Sequence, residues 1–206
     1  MQQGSADAVA AHKRALRTAV RAARRVRAAL PAADPARRAE ADAIARAVAD
    51  GAAAQLTHAA SEGTPVCSYA SLPGEPPTDA LHEALAARGI CVLLPLLLPD
   101  GELDWEVRFP DGTRSTPLGR DAIGRAGLVI VPAIAVDREG RRLGQGGGSY
   151  DRALARRRPD ALTAALIDGD VADEVPTLPH DQTVDAVASA GWGWRLLSTA
   201  AGGGAP

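Results

Sequence analysis

Between Leu128 and Val136 the chain reads LVIVPAIAV, and four residues later it turns to glycine, with Gly140, Gly144, Gly146, Gly147 and Gly148 in close succession before Tyr150. A run of valine and isoleucine without polar alternation predicts a strand covered on both faces, which belongs in a sheet between layers of helix. Glycines directly after such a strand let backbone N–H groups come close to an anion. A helix running from Tyr150 to Arg158 turns its free N–H groups toward the same place. Strand, glycine loop and helix in this order predict an anion site at a strand end of an α/β fold.

The rest of the chain extends the alternation. Ala8 to Leu30 is rich in alanine and arginine and ends at Pro31, as a helix would. Asp34 and Pro35 read as the N-cap and first turn of a second helix, reaching about Thr57. A strand at Val66–Ala70 and a turn-rich loop at Ser71–Pro77 follow. Thr78 or Asp79 caps a helix that stops at Gly89. Strands are expected at Ile90–Leu98, at Leu103–Phe109 (more exposed), at Leu162–Ile167 and at Thr183–Ala188. The pattern is that of a three-layer α/β/α protein with a mostly parallel sheet. Residues 1–198 form one expected domain, and 199–206, with Gly202, Gly203 and Gly204, an expected disordered tail.

Composition removes several classes of function. At 206 residues and 46% hydrophobic the chain has ample material for a core, so wholesale disorder is excluded. With 3% aromatic residues a base-stacking binder of single-stranded nucleic acid is not expected. No apolar run approaches the ~18 residues a membrane helix needs, and Met1–Leu30 has no apolar core of a signal peptide. Cys67 and Cys91 form no metal-ligand spacing, which fits a reduced, cytoplasmic chain.

The charge is unevenly placed. Residues 1–30 hold seven Lys or Arg against one acid, Asp7; the remaining 16 basic and 24 acidic residues bring the total to −2. Arg14, Arg17, Arg21 and Arg24 share one stripe of the first helix, while Leu16, Val20 and Ala23 share another. Such a helix suits a nucleic-acid arm, a transit peptide or a phosphate-binding element, and charge alone does not choose among them.

The glycine segment carries more chemistry. Arg142 and Arg152 flank it and can neutralise phosphate charge. Asp151 offers a carboxylate to Mg²⁺, which commonly sits on one or two carboxylates plus phosphate oxygens. The segment is neither a Walker A loop nor a GxGxxG fingerprint. On glycine content alone it reads equally as a flexible surface loop.

Residues 142–152, RLGQGGGSYDR, resemble the RLGxGGGYYDR signature of the 5-formyltetrahydrofolate cyclo-ligase family. Lys13-Arg14-Ala15-Leu16-Arg17 is similar to that family's KxxLR. Tyr69–Thr78 resembles its substrate loop, Val131–Asp137 the strand leading into the glycines, and Val175–Asp181 with Val184-Asp185 its closing P-x-x-x-HD-x-x-VD. The resemblance runs from about Lys13 to Ser189. It implies a fold like that of the ribose-phosphate isomerase and CoA-transferase group. It also implies ATP- and Mg²⁺-dependent conversion of 5-formyltetrahydrofolate to 5,10-methenyltetrahydrofolate, in a monomer or homodimer without nucleic-acid or membrane partners. A paralogue with the same ATP site and another substrate, or a non-catalytic nucleotide- or nucleic-acid-binding module, are the alternatives.

Carried onto this chain, the resemblance assigns Lys13, Arg14, Arg17, Arg142, Gly144, Gln145, Gly146, Gly147, Gly148, Ser149 and Tyr150 to ATP. Ala70, Glu75, Gly147, Gly148 and Ser149 go to the folate. Arg142 and Tyr150 go to catalysis, and Asp151 with Asp181 to Mg²⁺. The chain departs from the pattern at Ser149, where the first tyrosine of a pair is usual, and at Pro77, where an acid is usual. Gln145 and Gly147 stand where some members carry basic or aromatic residues, and Ser189 where many have threonine.

Other residues are read as structural. Arg21, Arg24, Arg25 and Arg27 are expected on the surface, as are His12, His58 and His82. Cys67 and Cys91 are expected in the core, and Trp105, Trp192 and Trp194 as packing anchors, with Trp105 also placed to form a pocket wall. His180-Asp181 fits a turn-capping pair as well as a metal role. A Ser149–His180–Asp181 hydrolase is disfavoured: Ser149 lacks the G-x-S-x-G setting, and adjacent His and Asp do not reach relay geometry.

Overall fold

In the computed structural model, which describes residues 2–29, 31 and 34–197, seven strands form one sheet. The elements run α1 (Gln2–Ala28), α2 (Pro35–Gly51), α3 (Ala53–Glu62), β1 (Val66–Cys67), α4 (Asp79–Ala86), β2 (Val92–Leu97) and β3 (Leu103–Arg108). After a 3₁₀ turn at Arg120–Arg125 come β4 (Leu128–Pro132), β5 (Ala135–Val136), β6 (Arg142–Leu143), α5 (Ser149–Leu154), β7 (Leu162–Leu166), β8 (Ala186–Ser189) and β9 (Gly193–Leu196). The sheet order is β3-β2-β1-β4-β7-β8-β9. The five inner strands are parallel and the two edge strands antiparallel. The α/β class with a mostly parallel sheet holds.

Period-two alternation explains why these strands are so apolar. Val66, Val92, Leu94, Leu128 and Ile130 face one cluster with Ile44, Val48, Leu56, Leu81 and Leu85 of α2, α3 and α4. Cys67, Leu93, Val129, Val131 and Val187 face a second cluster with Ile123 and with Leu154 of α5. Both faces are covered, as expected for parallel strands. Each buried Leu, Ile or Val contributes about 1.5–3 kcal/mol.

Several boundaries differ from expectation, each with a local cause. The helix expected through Thr57 breaks at Ala52. There Trp194 of β9 lies against the chain: a Cβ on Gly51 would stand 1.9 Å from Trp194 Cγ. The strand expected at Leu128–Val136 is two strands. After Pro132 the chain leaves the sheet, and β5 pairs instead with β6 in a separate ribbon below the glycine loop. The strand at Val66–Ala70 is only two residues long, because Tyr69 and Thr78 close the following loop. Thr78 Oγ1 donates to the Tyr69 carbonyl at 2.8 Å and accepts the Ser71 N–H at 3.2 Å. α5 ends at Leu154, short of Arg158. β8 begins at Ala186 where a strand from Thr183 is expected, and β9 and the 3₁₀ turn are without sequence expectation.

His82, expected on the surface, is buried at 2% exposure, its Nε2 2.9 Å from Ser68 Oγ. Trp105 is fully buried in the second cluster and forms no pocket wall. Cys67 is buried as expected, and Cys91 partly so. The tail at 199–206 lies outside the described residues. Among the described residues no helix is long and apolar enough to cross a membrane.

Candidate functional site

The parallel strands β1, β2 and β4 send their following loops to one side, and a cleft of about 1180 Å³ opens there. A crevice beyond the carboxyl ends of parallel strands is where α/β sheets place ligands. Every residue that the sequence resemblance assigns to ATP, folate or metal lines this cleft.

α1 forms one wall. It meets the body through little apolar surface, chiefly Leu16 and Val20 against Ile134, Leu143 and Val175. Its docking is mostly polar. Lys13 Nζ donates to Asp181 Oδ2, and Arg17 Nε donates to the Gly144 carbonyl at 3.0 Å. Arg21 Nη2 donates to the Gln145 carbonyl at 2.9 Å. Residues 13, 17, 21 and 24 recur at helical spacing, so one face of α1 reaches the glycine loop and its surroundings. Burial, and next the charge of Arg21, lower the pKa of Arg17, while Asp181 opposes them. Cations crowded in this way mark a place suited to an anion.

The glycine loop forms the facing wall. Gly146 and Gly148 have φ of +116° and +69°, conformations that side chains with Cβ rarely adopt. A Cβ on Gly146 would stand in ordinary contact with Arg17, 3.4 Å from Cζ, so it is the positive φ rather than space that calls for glycine there. Arg142 is 3% exposed and donates from Nη2 to Asp151 Oδ1 at 2.7 Å. Its charge lies 6.0 Å from the centre of the Tyr150 ring. Arg142 Nε is buried without a partner among the described residues, and no other orphaned buried side-chain atom belongs to a cleft-lining residue. An orphaned donor in a cleft wall is a place for an acceptor from a ligand. Burial raises the Tyr150 hydroxyl pKa, against the pull of Arg142, so Tyr150 is a neutral donor.

Arg152 does not serve the loop as a free cation. It pairs with Glu102 at 2.8 Å and donates to the Gly101 and Gly147 carbonyls at 2.7 and 3.2 Å, tying the β2–β3 hairpin to the glycines.

Glu75 sits at the third side, 5% exposed. Its Oε1 accepts from Arg24 Nη1 at 3.2 Å and Gln145 Nε2 at 3.1 Å; its Oε2 accepts the Leu72 N–H at 3.0 Å. Arg24, expected on the surface, is therefore buried, because its stripe of α1 faces the protein. Arg27 is likewise drawn inward: burial lowers its pKa, but Asp168 and Glu40 more than offset this and raise it. Arg21 keeps its exposure yet holds Gln145. The shared stripe of Arg14, Arg17, Arg21 and Arg24 was the signal for an inward face; Asp168, the partner of Arg24 and Arg27, has no signal in the sequence.

For a metal, the two carboxylates are already engaged. Asp151 Oδ1 accepts from Arg142 and from the Gln182 N–H at 3.1 Å. Asp181 Oδ2 accepts from Lys13 and from the Leu178 N–H at 2.6 Å. No cluster of three or more His, Cys, Asp or Glu is poised for a metal among the described residues. Such a donor set fits an ion carried by phosphate oxygens with one or two carboxylates, and not a protein-only cage.

The sequence model of the 5-formyltetrahydrofolate cyclo-ligase family matches residues 9–190. The chain belongs to that family. A 5-formyltetrahydrofolate cyclo-ligase of Mycolicibacterium smegmatis (strain ATCC 700084 / mc(2)155) is 38% identical over 135 residues, 58% of this chain and 70% of the relative. Among solved structures, the 5,10-methenyltetrahydrofolate synthetase of Aquifex aeolicus shares the fold with a TM-score of 0.65 at 21% identity, over 90% of this chain and 92% of that one. The enzyme of the same name from Mycoplasma pneumoniae has a TM-score of 0.60 at 17% identity, over 86% and 98%. The cyclo-ligase match covers α1 from residue 9 onward, the glycine loop and the segment carrying Asp181, so the cleft lies wholly within the family's extent.

Proposed function

We propose that the chain converts 5-formyltetrahydrofolate to 5,10-methenyltetrahydrofolate with consumption of ATP in the presence of Mg²⁺. The observation that carries this reading is the meeting of Lys13 and Arg17 with Gly144–Gly148 across one cleft that also contains Glu75. In the proposed reaction the formyl oxygen attacks the γ-phosphorus, the bond to ADP breaks, and N10 then closes on the activated carbon. Phosphate leaves with the former formyl oxygen, and N10 loses its proton.

Such a reaction needs positioning and charge neutralisation more than a protein nucleophile. Lys13, Arg14, Arg17 and Arg142 supply positive charge, and the loop amides supply donors. Binding of the triphosphate draws Lys13 from Asp181 and gives Arg142 Nε an acceptor. Asp151, with Asp181 once Lys13 is released, would hold Mg²⁺, which would offset charge on the phosphates. Glu75, held as an acceptor, takes ring N–H groups of the pterin, beside Ala70. Tyr150 lines the junction between the two ligands.

A second reading keeps the ATP site and changes the substrate, because the departures at Ser149, which lines the cleft, and Pro77, in the loop that carries Glu75, bear on folate fit more than on ATP. The nucleic-acid alternative is weakened by the bonds that Arg17, Arg21, Arg24 and Arg27 make within this chain. The test is growth of the near-UV absorbance of methenyltetrahydrofolate when purified protein meets 5-formyltetrahydrofolate, ATP and Mg²⁺, with none when ATP is withheld. ADP release with another N-formyl or amine compound, and no methenyl product, would favour the second reading.

A further inference from the structure

Arg24 uses all three guanidinium nitrogens on this chain. Nε donates to Asp168 Oδ2 at 2.7 Å, Nη2 to the Ala133 carbonyl at 2.7 Å, and Nη1 to Glu75 at 3.2 Å. It therefore joins α1 to the loop after β4, to the segment after β7 and to the substrate loop. Arg24 is not among the cleft-lining residues. It lines instead a smaller pocket of about 210 Å³ that shares Leu72, Glu75 and Gln145 with the cleft wall. Glu75 thus stands between Arg24 and the cleft.

The backbone reinforces this placement. Gly74 has φ of +85°, and a Cβ there would stand 2.3 Å from the Arg24 carbonyl oxygen. The substrate loop consequently lies against α1 at Arg24 itself, and the next residue, Glu75, comes under the guanidinium. A buried carboxylate held by one guanidinium N–H and two further donors keeps one orientation.

We infer that Arg24 is a positioning residue for Glu75, fixing from behind the carboxylate that meets the pterin, with Asp168 orienting Arg24 in turn. This rests on the reading of Glu75 given above. Arg24 lies outside the cleft lining and reaches it through Glu75, so its loss is expected to act on folate and to spare nucleotide.

The test measures binding of 5-formyltetrahydrofolate and of ADP separately, by calorimetry, on the full chain and on Arg24→Met, Arg24→Lys, Glu75→Gln and the Arg24→Met/Glu75→Gln pair. Arg24→Met is expected to weaken folate binding about 10- to 100-fold, the scale of a charged hydrogen bond, with ADP binding unchanged. The pair is expected to be no worse than Glu75→Gln alone. Arg24→Lys, which keeps charge but loses the fork, is expected to fall between wild type and Arg24→Met. If Arg24→Met does not fold, Arg24→Lys carries the test by the same folate-against-ADP split. Equal losses of folate and ADP binding would overturn the inference. So would losses that multiply in the pair while Glu75→Gln alone is defective, which leaves the reading of Glu75 standing. A Glu75→Gln variant that binds folate normally removes that reading, and the inference with it.

Discussion

Arg17 and Gly144 are 127 residues apart in the chain, yet the Arg17 Nε–H donates to the Gly144 carbonyl at 3.0 Å. The bond makes α1 and the glycine loop two walls of one cleft. Because Arg17 is half-buried beside Arg21, a bound anion relieves repulsion as well as adding bonds. Arg17→Ala is expected to raise the KM for ATP by about 10-fold or more, the equivalent of a charged hydrogen bond of about 1.5–3 kcal/mol. The KM for 5-formyltetrahydrofolate at saturating ATP should change little. Steady-state kinetics with each substrate varied in turn checks the split; a defect confined to folate would contradict it.

Lys13 and Asp181 form an ion pair whose side chains are 9% and 11% exposed. Removing one partner leaves the other charge poorly solvated, which costs about 3 kcal/mol in buried pairs. Lys13→Met and Asp181→Leu should each lower the urea midpoint, and the double variant should lose clearly less than the two added together. All three should bind ATP weakly, so stability and binding separate in the double variant. Additive losses of stability would show that the pair is not coupled.

His82 is neutral because burial, and next the charge of Arg108, push its pKa from 6.5 down to about 4, with Asp79 opposing. The unfolded chain takes up this proton at a higher pH than the folded one. Stability therefore falls as pH drops below 6.5 and the loss is complete below about 4, amounting to about 3 kcal/mol. His82→Gln keeps a polar partner for Ser68 and removes the titration. Urea unfolding at pH 7, 5.5 and 4 should show a shallower acid loss for the variant; parallel pH dependences would contradict the assignment.

The elements that could be read in advance are those whose signals are local. The apolar run from Leu128 to Val136, the Asp34–Pro35 helix start and the glycine loop each depend on neighbouring residues, and all appear, though with shifted ends. The contacts that escaped reading are long-range. β9 is short and half exposed, and its Trp194 finds a partner only because Gly51 lacks a side chain. A basic helix stripe has the same pattern whether it faces water or carboxylates, so the inward commitment of Arg24 depends on Asp168 and Glu75, which are 144 and 51 residues away. That these residues would gather was legible as a set, because the cyclo-ligase signatures preserve their order and spacing, and they line one cleft. How they pair with one another, Lys13 with Asp181 and Arg142 with Asp151, was not.

Gly74 offers a sharper test of loop placement. With φ of +85° and the Arg24 carbonyl 2.3 Å from where a Cβ would stand, alanine is both strained and blocked by backbone. Gly74→Ala is expected to cost about 2 kcal/mol or more in stability. Glu75 moves with the loop, so folate binding should weaken beyond what a Gly89→Ala control shows. Gly89 has φ of +71° but open space around it, and so carries the strain without the clash. Equal behaviour of the two variants would mean that the approach to α1 has no bearing on the site.

Ser149 opens α5 at the cleft where the cyclo-ligase signature has the first tyrosine of a pair. A serine there removes one aromatic face from the junction between loop and substrate, next to Tyr150. Ser149 lines the cleft and is half-buried, so Ser149→Tyr places its ring at the cleft wall. An added aromatic contact is worth about 0.5–1.5 kcal/mol beyond area burial, so the KM for 5-formyltetrahydrofolate should fall about 2- to 10-fold, with the KM for ATP little changed. If tyrosine instead weakens folate use while another N-formyl substrate is lost with it, the serine is fitted to a different compound, and the substrate of this cleft is not the one proposed.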